Sequence, residues 1–273
     1  MPELPEVETV KETLKKKVLN KKIKDVDIYW EGIIAYPNIT TFKKNIKNQT
    51  INDITRLGKW LIFHLDDYIL LSHLRMEGKY FLRDSTEEKK KHEHVFFHFT
   101  DNTDLRYHDT RKFGKMHLVK KENFNDYIVV KELGLEPWDK NLNNKYLKEK
   151  YKKKTLPIKT VILDQSIITG IGNIYADEIL FLSHINPLKK ANLLKTKDLD
   201  LIIDNTRITL EKAISEGGTT IRSYTSDEGV SGRFQNNLYV HQKEGENCLI
   251  CGSKIIKIRV GGRGTYYCPK CQK

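Results

Sequence analysis

All four cysteines of the 273-residue chain lie near its end, as Cys248-x2-Cys251-x16-Cys268-x2-Cys271. Each C-x2-C turn offers two thiolates, and two such turns close a tetrahedron around one zinc ion. Four cysteine ligands leave no open coordination position, so the expected Zn2+ is structural. Two disulfides are the alternative, disfavoured in a reducing compartment. Between the pairs, SKIIKIRVGGRGTYY alternates polar and apolar residues around Gly261-Gly262, as a β-hairpin does. Lys254, Lys257, Arg259, Arg263, Lys270 and Lys273 face a single acid, Glu246, and the Gly-flanked Arg263 suits phosphate contact. Zinc ribbons also serve as protein-protein modules.

At roughly 150 residues per domain the chain has room for about two domains. A hydrophobic share of 38% and an aromatic share of 10% fit a globular protein. The net charge of +12 suits a polyanionic partner, or solubility alone. The lysine runs 15–17, 89–91 and 152–154 read equally well as solvated faces. No apolar run approaches the ~18 residues that cross a bilayer. The start carries Glu3, Glu6 and Glu8 rather than a basic and then apolar leader, so neither membrane nor export is expected. The reading is a cytoplasmic protein.

Leu4, Val7, Val10, Leu14 and Val18 recur at spacings of three and four, one apolar face of a helix, with Pro5 tolerated in the first turn. Residues 23–119 read as strands, at 51–54, 60–65, 69–74, 95–99 and 116–119, which suggests a sandwich or barrel. Residues 134–157 hold Pro137, several asparagines and the densest lysine cluster, and read as a linker or hinge. Beyond it 161–164, 173–183 and 199–215 read as helices. Gly170-Ile171-Gly172 precedes the second, a way to grip a phosphate through backbone N–H groups. Seven of the nine histidines fall between 64 and 117, but strand alternation argues against a second metal site.

Met1 precedes Pro2, small enough for methionine removal, which leaves a secondary amine at a helix start. Acids in a first turn can simply suit the helix dipole. The functional reading is nucleophilic catalysis. An α-amine of pKa about 7.7–8.0 is partly neutral near pH 7. Its attack on a carbon at the aldehyde oxidation level gives an iminium that acts as an electron sink, and Glu3 is placed to protonate an oxygen.

The opening Pro2-Glu3-Leu4-Pro5-Glu6-Val7-Glu8-Thr9 resembles that of the bacterial formamidopyrimidine-DNA glycosylases. The resemblance continues through 56–59 (RLGK), 73–78 (HLRMEG), 109–114 (DTRKFG), 170–175 (GIGNIY), 217–220 (GGTT) and the cysteine hairpin. It implies an α+β, multidomain chain. Residues 1–133 would form a catalytic N-terminal helix and β-sandwich, and 134–157 a hinge. Residues 158–237 would form a helix-two-turns-helix domain with a lesion-capping loop, and 238–273 a zinc finger. It also implies a monomer that acts at the bacterial nucleoid on double-stranded damaged DNA. The reaction implied is removal of 8-oxoguanine and ring-opened purines, then strand cutting that leaves phosphate on both ends.

By that pattern Pro2 attacks C1′, Glu3 donates a proton and Glu6 lines the site. Lys59 and Arg263 serve as donors in the β and δ eliminations. Met76, Arg111 and Phe113 fill the space vacated by the extruded nucleotide, Arg111 facing the orphaned cytosine. Read without the motif, Met76 and Phe113 are core residues and Arg111 a surface charge. His73, His92, Asn173 and a lysine of the 152–154 run, written as Lys154, would hold phosphates, with Glu77 and Tyr175 beside them. Thr219, Thr220 and Ser223 would cap the extruded base. Thr110 stands where proline is frequent in the family. Rival readings are an endonuclease VIII-type glycosylase, disfavoured by Leu4 and the full trio, and a non-catalytic zinc-ribbon DNA-binding protein. An N-terminal-proline tautomerase would be smaller and lack the hairpin.

Overall fold

The computed structural model describes residues 2–219 and 232–273. They divide into two compact units, one running to Lys131 and the other made of 132–219 and 233–273. No helix among the described residues is long and apolar enough to cross a membrane.

The first unit opens with helix α1 (Leu4–Val18), whose Leu4, Val7, Val10, Leu14 and Val18 are all buried. Pro5 sits in its first turn, where the missing N–H breaks no helical bond. Then follow β1 (Ile23–Ile28), β2 (Ile34–Tyr36), α2 (Ile39–Ile46), β3 (Asp53–Leu57), β4 (Trp60–His64) and β5 (Tyr68–His73). The unit continues with β6 (Lys79–Asp84), β7 (Glu93–Phe99), β8 (Thr103–His108), β9 (Lys115–Lys120) and a short α3 (Ile128–Lys131). An antiparallel sheet runs β1, β7, β8, β6. A five-stranded sheet runs β2, β9, β5, β4, β3 and is antiparallel except for the β2–β9 pair. Val26, Val95, Phe97, Leu105 and Tyr107 of the first sheet meet Ile54, Leu61, Phe63, Leu70 and Leu118 of the second in one core, which α1 and α2 join through Val10, Leu14, Phe42 and Ile46. That is the expected β-sandwich with its N-terminal helix.

Differences from the sequence reading have local causes. The β3 strand lies at 53–57 rather than 51–54, because the two-residue turn Gly58-Lys59 sets its pairing with β4. Helix α2 has no counterpart in the sequence reading; Asn38 starts it by accepting the Thr41 N–H at 2.9 Å.

The second unit contains α4 (Asn144–Tyr151), α5 (Ile158–Val161), α6 (Asn173–Leu182), α7 (Thr196–Ser215) and the hairpin β10 (Ile256–Val260) and β11 (Arg263–Tyr267). Part of the stretch read as a linker is therefore helix α4, with Leu147 and Tyr151 buried. Pro157 caps α5 and moves it ahead of the expected 161–164. Gly261 (φ +55°) and Gly262 (φ +78°) form the hairpin turn, a left-handed pair that glycine adopts without a Cβ penalty.

Candidate active site and nucleic-acid interface

In the first unit, Glu3 is the N-cap of α1 and Glu6 its third residue, 1% and 4% exposed. The Glu3 N–H donates to Glu6 Oε2 at 2.8 Å, so the start of the chain is held directly beside two buried carboxyl groups. Glu8 accepts from Arg56 Nε at 2.8 Å, and Arg56 Nη1 donates to the Gly58 carbonyl at 3.1 Å. Arg56 thereby ties α1 to the β3–β4 turn that carries Lys59, itself only 7% exposed. Gly58 takes φ +57°, which a two-residue hairpin turn favours in glycine.

His73 ends β5 and is buried with Trp60 edge-on at 4.8 Å between ring centroids. Burial pushes its imidazole down to about 3, and the nearby cations Arg75 and Lys59 push the same way. Its Nδ1 accepts the Arg75 N–H at 2.9 Å, so the neutral ring carries its proton on Nε2. The result is an uncharged N–H donor. His92 stands at φ +69° with its carbonyl accepting from Asp109 N. Its ring lies 5.8 Å from that of His108.

Two loops carry the proposed space-filling trio. Asp109, fully buried, accepts the N–H groups of Arg111 (3.0 Å) and Gly114 (2.8 Å) and so folds 109–114 around itself. A Cβ on Gly114 would fall 1.7 Å from Tyr107 Oη, and one on Gly78 2.2 Å from the same oxygen. Both loops therefore close down on Tyr107, and Thr110 Oγ1 links them by donating to Glu77. Phe113 is 49% exposed with the Arg111 guanidinium 4.8 Å from its ring centre. Met76 is half-buried. Neither apolar member of the trio is a core residue, which corrects the alternative reading.

In the second unit, Gln165 closes the glycine turn before α6. Its Oε1 accepts from Gly170 N and its Nε2 donates to the Ile171 carbonyl, both at 2.9 Å. Asn173 opens α6 and donates from Nδ2 to the Gly264 carbonyl at 3.0 Å. Lys154 pairs with Asp164 at 3.2 Å and stays partly exposed. Tyr175 is fully buried with its ring against Phe234. Thr219 is buried, while Thr220 and Ser223 lie outside the described residues.

The four cysteine Sγ atoms converge to within 4.8 Å of one another, with Cys248–Cys271 at 3.8 Å and Cys251–Cys268 at 3.4 Å. A tetrahedron of ~2.3 Å Zn–S bonds has edges of about 3.8 Å, whereas a disulfide needs ~2.05 Å. The donors fit a structural zinc, and all four are free thiols. Arg263 begins β11, exposed, at the far end of the hairpin from these ligands. The sequence reading passed over Lys159 and Asp177, buried partners at 2.6 Å. A lysine inside the apolar run Ile158–Ile162 was the available signal.

A sandwich whose leading helix starts after Pro2 with two buried acids, followed in the same chain by a helical unit and a four-thiol knuckle, is the architecture of a DNA-repair glycosylase. The formamidopyrimidine-DNA glycosylase N-terminal domain family matches residues 1–116, the H2TH domain of the same enzymes 133–225, and a zinc finger found in FPG and IleRS 245–273. A formamidopyrimidine-DNA glycosylase of Oceanobacillus iheyensis is 48% identical over 273 residues, covering 100% of this chain and 98% of the relative. One from Bacillus subtilis is 46% identical, covering 100% and 99%. Among solved structures, the Lactococcus lactis enzyme bound to abasic-site DNA superimposes with a TM-score of 0.93 at 41% identity, covering both chains fully. A point mutant of the same enzyme, in complex with DNA containing Fapy-dG, matches equally well. The chain belongs to the formamidopyrimidine-DNA glycosylase family. These matches favour that reading over the endonuclease VIII-type and non-catalytic alternatives.

Proposed function

We propose that this glycosylase removes 8-oxoguanine and formamidopyrimidines from double-stranded DNA and then cuts the strand through a Schiff base on Pro2. The observation that carries this reading is the hydrogen bond from Glu3 N to Glu6, which fixes the residue after Pro2 beside two buried carboxyls. Once Met1 is removed, the Pro2 amine attacks C1′ and the C1′–N bond to the damaged base breaks. Glu3 protonates the ring oxygen as the sugar opens, leaving an iminium. Loss of a C2′ proton expels the 3′ phosphate, with Lys59 as its donor. Loss of the C4′ proton then expels the 5′ phosphate, with Arg263 as its donor. Hydrolysis of the iminium returns Pro2 to its starting state.

Extruding the nucleotide costs a few kcal/mol of unstacking. Phe113 and Met76 fill the gap as apolar wedges, and Arg111 supplies donors to the orphaned cytosine. Phosphate contacts fall to His73 through Nε2–H, to His92, to the second Nδ2 hydrogen of Asn173 and to Lys154. Glu77 supports the wedge loops through Thr110. Thr219, with Thr220 and Ser223, caps the extruded base. The division at 133, 157 and 237 belongs to this reading, as does work by a monomer in the cytoplasm, at the nucleoid.

Incubation with a duplex carrying 8-oxoguanine opposite cytosine tests the assignment. Release of the free base and a one-nucleotide gap with phosphate on both ends is expected. Cutting of oxidised-pyrimidine duplexes in preference to this one would contradict it.

A further inference from the structure

The hairpin that carries Arg263 is anchored at two ends by different means. Zinc ligands Cys268 and Cys271 lie just beyond β11, whereas Arg263 begins it five residues before Cys268, a span of about 17 Å in an extended strand. A two-stranded hairpin twists readily and is marginal by itself, so the metal alone does not fix the position of its tip. The tip rests instead on α5 and α6.

Three contacts hold it. Asn173 Nδ2 donates to the carbonyl of Gly264, the residue next to Arg263. Asp177 Oδ2 accepts the Tyr266 N–H at 3.3 Å and the His241 ring at 2.7 Å. Gly261 lies against Thr160, where a Cβ would meet Oγ1 at 2.5 Å. Beneath them Lys159, fully buried, pairs with Asp177 at 2.6 Å and donates to the Asn173 carbonyl at 2.9 Å. One ammonium thus holds both residues that grip β11 just after Arg263, at Gly264 and Tyr266, while Thr160 seats Gly261 before it. The Arg263 guanidinium itself has no partner among the described residues, so its direction comes from its backbone, pinned also by Thr265 Oγ1 on the Arg263 carbonyl at 3.1 Å.

We propose that the buried Lys159–Asp177 pair, together with the Gly261–Thr160 seat, forms a positioning device that aims Arg263 for the second elimination. The inference rests on the assignment of Arg263 as donor in that step. Lys159, Asp177 and Thr160 act through the hairpin and touch no reacting atom. Their loss should therefore change the partition between the two eliminations rather than the first bond made.

Full-length, zinc-loaded protein is incubated with a duplex containing one abasic site, and a denaturing gel separates the β product from the β,δ product. Borohydride trapping reports Schiff-base formation, and elemental analysis reports zinc. Arg263→Ala should abolish the β,δ product. Gly261→Ala and Asp177→Asn should lower the β,δ share at least fivefold, with trapping within twofold of the parent and one zinc per chain. Thr160→Ala alone should lower the share by a smaller factor. Because it removes the atom nearest a Cβ at 261, the T160A/G261A double variant should recover part of what G261A loses, the rest going to the left-handed φ at that position. An unchanged share in zinc-loaded G261A, when R263A has lost the β,δ product, overturns the positioning device. An unchanged share in R263A itself removes the donor assignment and the inference with it. Should Asp177→Asn fail to fold, Gly261→Ala on the exposed turn decides.

Discussion

Glu6 Oε2 sits 2.8 Å from the backbone nitrogen of Glu3, so one carboxylate both closes the first turn of α1 and fixes the direction in which Pro2 leaves the helix. Glu6→Ala should cost about 1 kcal/mol of stability, the usual loss of a helix-start contact. It should also slow Schiff-base formation well beyond what the stability loss explains. Glu6→Gln keeps an acceptor and should retain most of the stability. Thermal melts paired with single-turnover rates separate the two effects.

His73 and His98 should give stability opposite pH dependences. His73 is held down to about 3, so the native state resists protonation while the unfolded chain accepts it near 6.5. Its contribution is present above pH 6.5 and falls below it by about 1.4 kcal/mol per pH unit until the native pKa is reached. Burial alone would also lower His98, but hydrogen bonds to Asp104 at 2.7 Å and Asp27 at 3.1 Å outweigh it and raise the pKa. That contribution is complete below 6.5 and is lost as pH rises through the raised value. Urea midpoints across pH 5–8 for His73→Gln and His98→Gln should show a shallower acid limb in the first and a lower acid-side plateau in the second.

Salt dependence separates neutral from charged phosphate contacts. Each cation that neutralises a phosphate adds about 0.9 to the slope of log affinity against log salt. Lys154→Ala should flatten that slope by about one such increment. His73→Ala should weaken binding at every salt concentration and leave the slope unchanged, because its donor is uncharged. Equal slope changes in both variants would contradict the uncharged state argued for His73.

Asp109 and Tyr107 hold the loop that presents Arg111 and Phe113. Arg111→Ala should reduce the preference for cytosine over adenine opposite the lesion by about tenfold, the ~1–3 kcal/mol scale of a good base contact. Gly114→Ala drives a Cβ onto Tyr107 Oη and should shift the whole loop. It should lose the same preference together with about 1–3 kcal/mol of stability. Excision rates on the two duplexes measure both.

What the sequence disclosed depended on periodicity and spacing. The apolar face of α1, strands β4 and β5 with their alternating or continuous apolar runs, and the thiol pairs all announce themselves locally. Strands β1, β6 and β8 do not stand out singly. β8 buries Arg106 at 1% exposure between Glu93 and Asp104, a polar residue inside a core that no alternation rule anticipates. Helix α4 is hidden by its lysines, since only Leu147 and Tyr151 face inward. Motif resemblance named Pro2, Glu3, Lys59 and Arg263, and with them Tyr175, whose ring is buried against Phe234. The Lys159–Asp177 pair spans eighteen residues and becomes visible only once α5 and α6 are packed.

The Pro2 nucleophile is tested most directly by borohydride reduction during turnover on an 8-oxoguanine duplex, followed by peptide mass mapping. The account predicts a covalent DNA adduct on the peptide that begins at Pro2, absent from folded Pro2→Gly or at least hundredfold slower to form. An adduct mapped to a lysine, or a Pro2→Gly variant trapped as fast as the parent, would contradict it.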